Sequence, residues 1–344
     1  MTSSTHAGTG ATGTAGPPLV TIAIPVYKRL QYLPGALRAV ASQDYPNIEL
    51  IVSDNGLNGG TVRDIVDSNY PGPWRFRQNP SIETVVTHWN NIIADASGDY
   101  FALLADDDEI SPNYVSELTA LLERHPHASV AIAGQEILDE SGAVVRRSKA
   151  PLPERVTGPE FIRAVFHTYE YRFECFMTTF SRTADLRRCG GYPDFFMATH
   201  ADDVLLLKLS LGRDVVLNHR CAFRYRIYEA SYGLSMTIEE IARAFAQLLA
   251  FLDSDPQLRD FARAHPETWK ELRGYLVKNK WQTHHSRWRT MYRNRLTRLQ
   301  WLRAAFTLPF IPAYYARVAS TLLETGKYSV ADRAKVLARR LRNR

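Results

Sequence analysis

The chain has 344 residues, enough to bury a sizeable core as one large domain or two smaller ones, and its 45% hydrophobic and 23% charged content is ordinary for a soluble globular protein. Three cysteines (Cys175, Cys189, Cys221) form an odd set without Cys-x-x-Cys spacing, which argues against a disulfide framework or zinc site and for a reducing, cytoplasmic setting. The net charge of +6 hides a split: residues 261–344 hold 19 Lys and Arg against 4 Asp and Glu, a balance of +15, which leaves −9 on residues 1–260.

Residues 1–18 are rich in Thr, Gly, Ala and Ser. With neither a basic start nor an apolar stretch they read as a disordered tail, not a signal peptide. Residues 19–25 are a β-branched run stopped by proline, the pattern of a buried parallel strand. Leu33, Ala36, Leu37 and Val40 then share one helical face. Residues 48–53 predict a second strand, ending in the turn signal Asp54-Asn55-Gly56. A helix over 61–68, a strand at 74–76, a helix over 84–96 and a strand over 100–105 follow. This alternation predicts an α/β fold with a doubly wound, mostly parallel sheet. Ligands of such sheets bind beyond the carboxyl ends of the strands, where Pro25-Val26-Tyr27, Asp54-Asn55 and Asp106-Asp107-Asp108 all fall. Past Pro151-Leu152-Pro153 the pattern loosens. A second acidic cluster, His200-Ala201-Asp202-Asp203, opens a helix over 204–211. From about residue 237 the chain reads as helical, basic and rich in Trp and Tyr. No stretch reaches 18 clean apolar residues, so no transmembrane helix is expected.

The aspartate triplet is the sharpest chemical signal. Adjacent carboxylates repel and each prefers water, so three at the end of a buried strand make little structural sense. A divalent cation gives them a purpose: Mg²⁺ or Mn²⁺ takes carboxylate oxygens, one or two together with substrate phosphates. The alternative is a solvated acidic turn before a helix that Ser111-Pro112 would begin.

In order and spacing these landmarks resemble the family-2 glycosyltransferases of the GT-A fold. The likeness is carried by Val20-Thr21-Ile22-Ala23-Ile24-Pro25-Val26-Tyr27, by Ser42-Gln43-Asp44-Tyr45-Pro46-Asn47 running on to Asp54, by Asn90 through Gly98-Asp99-Tyr100, and by Leu104-Ala105-Asp106-Asp107-Asp108 with Pro112. It implies a GT-A domain over 19–236, with a nucleotide-sugar half (19–112) and an acceptor half (113–236), followed by a helical basic region (237–344). The implied reaction moves a sugar, with inversion, from a nucleotide-diphosphate donor to an acceptor hydroxyl. The resemblance puts Pro25 and Tyr27 beside the base and Asp54-Asn55 in hydrogen bonds to it. A ring stack with an acceptor for the pyrimidine N3–H suits a UDP- or dTDP-sugar. Asn79 and Asn90 join the donor-binding set. Asn55 stands where the family often has a second aspartate, and Ala105 where it commonly has another.

Within the triplet the resemblance assigns Asp106 toward the ribose and Asp107 to Mg²⁺ or Mn²⁺. Asp108 is either a second metal ligand or a cap of the loop. It also implies that the pair Asp202-Asp203 carries the general base that deprotonates the acceptor, Asp203 first and Asp202 one residue of register away. The bland alternative for the pair is a helix N-terminus favoured by the macrodipole. Tyr228 stands where a histidine often completes the metal shell, so Arg226 is expected to offset diphosphate charge instead. His200 either reaches the acceptor or is structural.

The basic region interleaves Lys278, Lys280 and later arginines with Trp281, Trp288, Tyr292 and Trp301. Peripheral contact with an anionic membrane would suit a lipid-linked acceptor. A glycan or small-molecule acceptor and a solvated helical bundle are the other readings. Nucleic acid is not expected, because no recognised binding module accompanies the charge. Two other functions are weighed against the transferase. A sugar-1-phosphate nucleotidyltransferase wants a glycine-rich loop after the first strand, which Tyr27-Lys28-Arg29-Leu30 lacks. A non-catalytic sugar-nucleotide or glycan-binding module would not need Asp107 and Asp203.

Overall fold

The computed structural model describes residues 16–148, 152–168, 179–227 and 238–292. Its first part is a regular α/β alternation: β1 (Val20–Val26), α1 (Leu33–Ala41), β2 (Ile48–Asp54), α2 (Gly60–Asn69), β3 (Trp74–Gln78), α3 (Val85–Asp95) and β4 (Tyr100–Leu103). The four strands are parallel in the order β3-β2-β1-β4, so their carboxyl ends line one edge. β1 lies between two neighbours with both faces covered, which is why it reads as an unbroken apolar run. Pro25 is tolerated because the ladder with β4 stops at Ala23–Leu103, before the proline would have to donate.

The second part contains β5 (Glu109–Ile110), α4 (Tyr114–Arg124), β6 (Ala128–Leu138), β7 (Val144–Arg147), β8 (Arg155–Thr157), α5 (Gly158–Arg163), a π-helical turn (Ala164–Thr168), β9 (Thr179–Arg182) and α6 (Thr183–Arg188). A 3₁₀ turn (Phe196–Ala198), α7 (Ala201–Ser210) and β10 (Asp214–Arg226) complete it. β9 is inserted antiparallel between β4 and β6, and joins the second part to the first in one sheet ordered β3-β2-β1-β4-β9-β6-β10-β5. β10 runs parallel to β6 along ten register pairs, so the parallel character of the sheet extends through most of its length. The short β5 pairs with Phe223 and Arg224, which brings the end of β10 against the aspartate triplet.

Helices α8 (Ile238–Ser254), α9 (Pro256–Ala264) and α10 (Pro266–Tyr292) follow. They are no detached appendage. Phe245, Leu248, Leu252, Leu258, Leu272 and Leu276 are buried in the same cluster as Phe161, Phe166, Leu205 and Leu209. The spacing 245, 248, 252 puts one apolar stripe of α8 against that core, and each such side chain contributes about 1.5–3 kcal/mol on burial. The basic balance counted from residue 261 therefore begins inside helices that complete the core beside α5 and α7. Among the described residues no helix is long and apolar enough to cross a membrane. Tyr228, Cys175, the side chains of Trp281, Trp288 and Tyr292, and all of Trp301, Tyr314 and Tyr315 lie outside the described residues.

Candidate active site

Three strand ends build the first face of the site. Asp54 closes β2, is fully buried, and accepts hydrogen bonds from the Gly56 and Gly59 backbone N–H groups (2.9 and 2.8 Å) and from Asn58 Nδ2 (2.9 Å). Asn58 also donates to the Tyr27 carbonyl at 2.6 Å, which ties the β2 loop to the end of β1. Only glycine fits at position 56, because a Cβ there would come within 1.7 Å of the same carbonyl. Asn55 Oδ1 accepts from Asn79 Nδ2 (2.7 Å) and the Glu83 N–H (2.9 Å), and Asn55 Nδ2 donates to the Glu83 carbonyl (3.1 Å). Asn55 and Asn79 are thus buried brackets that shape the loops after β2 and β3, with Arg77 donating to Asn79 behind them. Tyr27 is 45% exposed and Lys28 Nζ lies 5.0 Å from its ring centre, so a flat face is presented at the rim beside Asp54. Pro25 sits one residue back from the end of β1, half-buried.

The triplet forms the second face. Leu104 still donates to the Ala23 carbonyl, and the chain turns directly after it, so Asp106, Asp107 and Asp108 lie just beyond the sheet edge. All three are buried, and all three are pushed up from the usual carboxylate range, first by burial. Asp106 reaches about 7, with the charge of Asp107 adding to the burial and Arg29 opposing it. Arg29, in the loop after β1, is the cation that faces the pair: Nη1 is 3.1 Å from Asp107 Oδ2 and Nη2 is 3.7 Å from Asp106 Oδ1. Asp108 points elsewhere. Its Oδ1 accepts the Arg226 backbone N–H at 2.9 Å, which fastens the triplet loop to β10.

Arg226 does not stand open to a diphosphate. Its buried guanidinium donates to the carbonyls of Asp107, Asp139 and Glu140 and pairs with Glu109 Oε1 at 2.8 Å. A carbonyl cluster of this kind needs a fixed planar donor, and arginine supplies it. Arg226 and Asp108 together therefore brace the loop that carries Asp106 and Asp107. Among the described residues no three His, Cys, Asp or Glu side chains converge as a ready metal site. Asp106 and Asp107 still suit a hard cation of the Mg²⁺ type as a pair. Burial and mutual repulsion make their charges costly until a cation offsets them, and such ions complete their shells with phosphate oxygens and water.

A second acidic pair stands at the start of α7. Asp202 and Asp203 lie in its first turn, where the macrodipole favours anions, and His200 is the N-cap with a left-handed φ of 72°. Met197 and Ala198 also have positive φ, at 53° and 54°. Three non-glycine residues held this way within four positions store backbone strain, and the surroundings hold them. Gln247 Oε1 accepts the Phe196 N–H at 2.7 Å, Arg243 covers the Phe196 ring at 4.4 Å, and Met197 packs on Ala244, so α8 props the turn. Asn90 fastens the preceding segment to α3: it donates to the Tyr192 carbonyl and accepts the Tyr192 N–H, both at 2.8 Å. Gly191 makes this clamp possible, with φ of +69° and a position where a Cβ would meet Asn90 Oδ1 at 2.3 Å. Asn90 thus ties α3 to the segment that leads into the 3₁₀ turn and α7.

The two aspartates of α7 differ in environment. Asp203 is 3% exposed, its Oδ1 is 2.6 Å from Lys280 Nζ of α10, and its Oδ2 is 3.1 Å from His200 Nδ1. Burial opposes its charge, but Lys280 and His200 prevail and hold it down to about 2. Asp202 is half-buried and accepts the Asp203 N–H on Oδ1 at 2.9 Å. Burial and the neighbouring Asp203 charge push Asp202 up to about 7. The sequence contained no signal for Lys280, which lies 77 positions downstream of Asp203 on a helix with many cations. Arg29 was visible only as a basic residue after the first strand.

The chain is similar to known glycosyltransferases. The model of the glycosyl transferase family 2 matches residues 21–189. Three relatives bear glycosyltransferase names. EpsE of Bacillus subtilis (strain 168) is 29% identical over 139 residues, 40% of this chain and 50% of that protein. RC0461 of Rickettsia conorii is 30% identical over 134 residues, 38% of this chain and 22% of that protein. Abequosyltransferase RfbV of Salmonella typhimurium is 28% identical over 109 residues, 30% of this chain and 33% of that protein. The chain thus spans half or less of the length of these relatives. Staphylococcus aureus TarS, residues 1–349, aligns with a TM-score of 0.58 at 18% identity, covering 84% of this chain and 79% of that one. Its complex with UDP-GlcNAc aligns at 0.59, covering 85% and 82%. At that identity the likeness establishes the shared GT-A fold. Residues 21–189 thus match glycosyl transferase family 2, and the relatives and solved structures that resemble the chain agree with that match.

Proposed function

We propose that the protein is an inverting glycosyltransferase that moves a sugar from a pyrimidine nucleoside diphosphate donor to an acceptor hydroxyl. The observation that carries this reading is the presence of two acidic pairs in a chain that matches family 2: the buried Asp106-Asp107 at the sheet edge, and the half-buried Asp202 with the buried Asp203 at the start of α7. The base lies on Tyr27 beside Asp54, whose carboxylate has lone pairs left for a pyrimidine N3–H. Asn55, Asn79 and Asn90 hold the loops in shape, and Asp106 faces the ribose. Asp107, with Asp106, would hold Mg²⁺ or Mn²⁺, which when bound offsets charge on the leaving nucleoside diphosphate.

Asp202 takes the acceptor proton as the hydroxyl oxygen bonds to the anomeric carbon and the bond to the diphosphate oxygen breaks. Both Asp203 oxygens already face cationic or hydrogen-bonding partners, whereas Asp202 is more accessible and titrates near neutrality, where a general base works best. The runner-up of the sequence reading thereby becomes the favoured base. The excess positive charge of residues 261–344 suits an anionic or lipid-linked acceptor presented at a membrane face.

A thermal-shift screen of UDP-, dTDP- and GDP-sugars with Mn²⁺ or Mg²⁺, followed by release of the nucleoside diphosphate, tests the reading. A UDP- or dTDP-sugar should stabilise the protein and be turned over, and Asp107→Ala should lose turnover while keeping its fold. Stabilisation by no nucleotide sugar, or full turnover by Asp107→Ala, would overturn it.

A further inference from the structure

We propose that Lys280 of α10 is a positioning residue for the acidic pair: its ammonium fixes Asp203 as a buried anion, leaving Asp202 to face the acceptor. The inference rests on the transferase reading and extends it to a helix outside the residues that match the family.

Lys280 sits in a formed environment. Its Nζ is 2.6 Å from Asp203 Oδ1 and 5.2 Å from the centre of the Phe166 ring. Phe166 belongs to the π-helical turn, whose next residue, His167, stacks on Tyr275 of α10 at 4.2 Å. π-Turns recur at functional sites because the extra residue re-aims side chains. Leu276 and Leu272 anchor the same helix in the core about one and two turns earlier, so the reach of Lys280 is set by packing. Among the described residues the charged or titratable groups facing Asp203 are Lys280, His200 and Asp202. Lys208, the cation of α7 itself, is paired with Asp255 at 2.8 Å.

A charge locked this way has two consequences. Asp203 cannot turn toward a substrate without breaking a buried ion pair, and its permanent negative charge makes Asp202 a stronger base. Loss of the ammonium should let the pair retain a proton to higher pH, since an opposite charge this close shifts a carboxyl by about one to three units.

The test uses the full chain and two readouts. The ¹³Cγ signals of Asp202 and Asp203, assigned through Asp202→Asn and Asp203→Asn, are titrated in wild type, Lys280→Met and Lys280→Arg. The same proteins are assayed for hydrolysis, with water as acceptor, of the UDP- or dTDP-sugar that stabilises wild type most. Lys280→Met should raise the titration of the pair by about one to three units. It should move the acid limb of kcat upward with it and leave KM for the donor unchanged, and Lys280→Arg should restore both. An unmoved acid limb in a folded Lys280→Met protein would overturn the proposal, as would Lys280→Arg behaving like Lys280→Met. Should Lys280→Met fail to fold, His200→Gln removes the other Asp203 partner without touching α10 and should shift the limb the same way; no shift there overturns it too. Failure of the underlying reading looks different: no nucleotide sugar is hydrolysed, or Asp202→Asn keeps normal kcat.

Discussion

Arg29 Nη1 stands 3.1 Å from Asp107 Oδ2, so a guanidinium from the first loop lies against the carboxylate expected to meet a metal ion. Arg29 is 39% exposed while both aspartates are buried, so the cation can swing out and the anions cannot. Arg29 and a divalent ion should therefore compete. Arg29→Gln should bind Mn²⁺ without nucleotide several-fold more tightly, since a part-exposed pair of this kind is worth up to about 1 kcal/mol. Asp107→Ala should bind Mn²⁺ poorly in either background. Titration of Mn²⁺ by calorimetry reads both, and equal affinity in wild type and Arg29→Gln would show that there is no competition.

The acidic pair of α7 should divide its roles unequally. Asp202→Asn should cost 10²–10⁴-fold in kcat, the usual price of losing a general base, with donor affinity kept. Asp203→Asn should cost less and move the acid limb of kcat to lower pH, because Asp202 then loses the neighbouring anion that raises it. The reverse ranking would return the base to Asp203.

Tyr27 and Asp54 should select the nucleotide. UDP or dTDP should bind more tightly than GDP, because a purine is larger and offers other hydrogen-bonding edges. Tyr27→Ala should weaken UDP by about 1–3 kcal/mol, the usual worth of a base stacked on an aromatic ring. Calorimetry with the three diphosphates decides it, and GDP in first place would refute it.

His88 should set an acid limit on stability. It is buried on α3 behind the end of β2 with Nε2 2.7 Å from Ser53 Oγ, and burial followed by the Arg77 charge lowers it from 6.5 to about 4. Between those values the unfolded chain takes up a proton that the folded protein refuses. Its contribution is therefore complete above pH 6.5, falls as pH drops toward 4, and is flat below that. The difference is about 3 kcal/mol at 1.36 kcal/mol per unit. Urea melts at pH 7 and pH 4 should show that loss in wild type and a much smaller one in His88→Gln. An equal loss in both would assign the acid sensitivity elsewhere.

Contact with an anionic membrane should depend on residues beyond Tyr292. Vesicles containing phosphatidylglycerol should float the full chain at low salt and release it as ionic strength rises. A chain ending at residue 292 is the control, since it keeps Leu272 and Leu276 in the core. If neither protein floats, the basic region is a solvated or acceptor-docking surface.

The sequence by itself determined the α/β alternation of the first part of the chain. Short apolar strands, punctuated by Pro25, Asp54-Asn55-Gly56 and the aspartate triplet, encode the mostly parallel sheet and the edge on which these polar groups stand. Local periodicity and turn chemistry act over a few residues, so they are legible without the fold. The tertiary structure alone decided what each polar group does. Arg226, expected at the diphosphate, proved to brace the triplet loop because β10 ends beside β5. Asn55, Asn79 and Asn90 turned out to be loop brackets, and the partner of Asp203 came from a helix 77 residues away. The physical reason is that a buried charge takes whichever counter-charge the packing delivers, and packing joins residues that no sequence spacing relates.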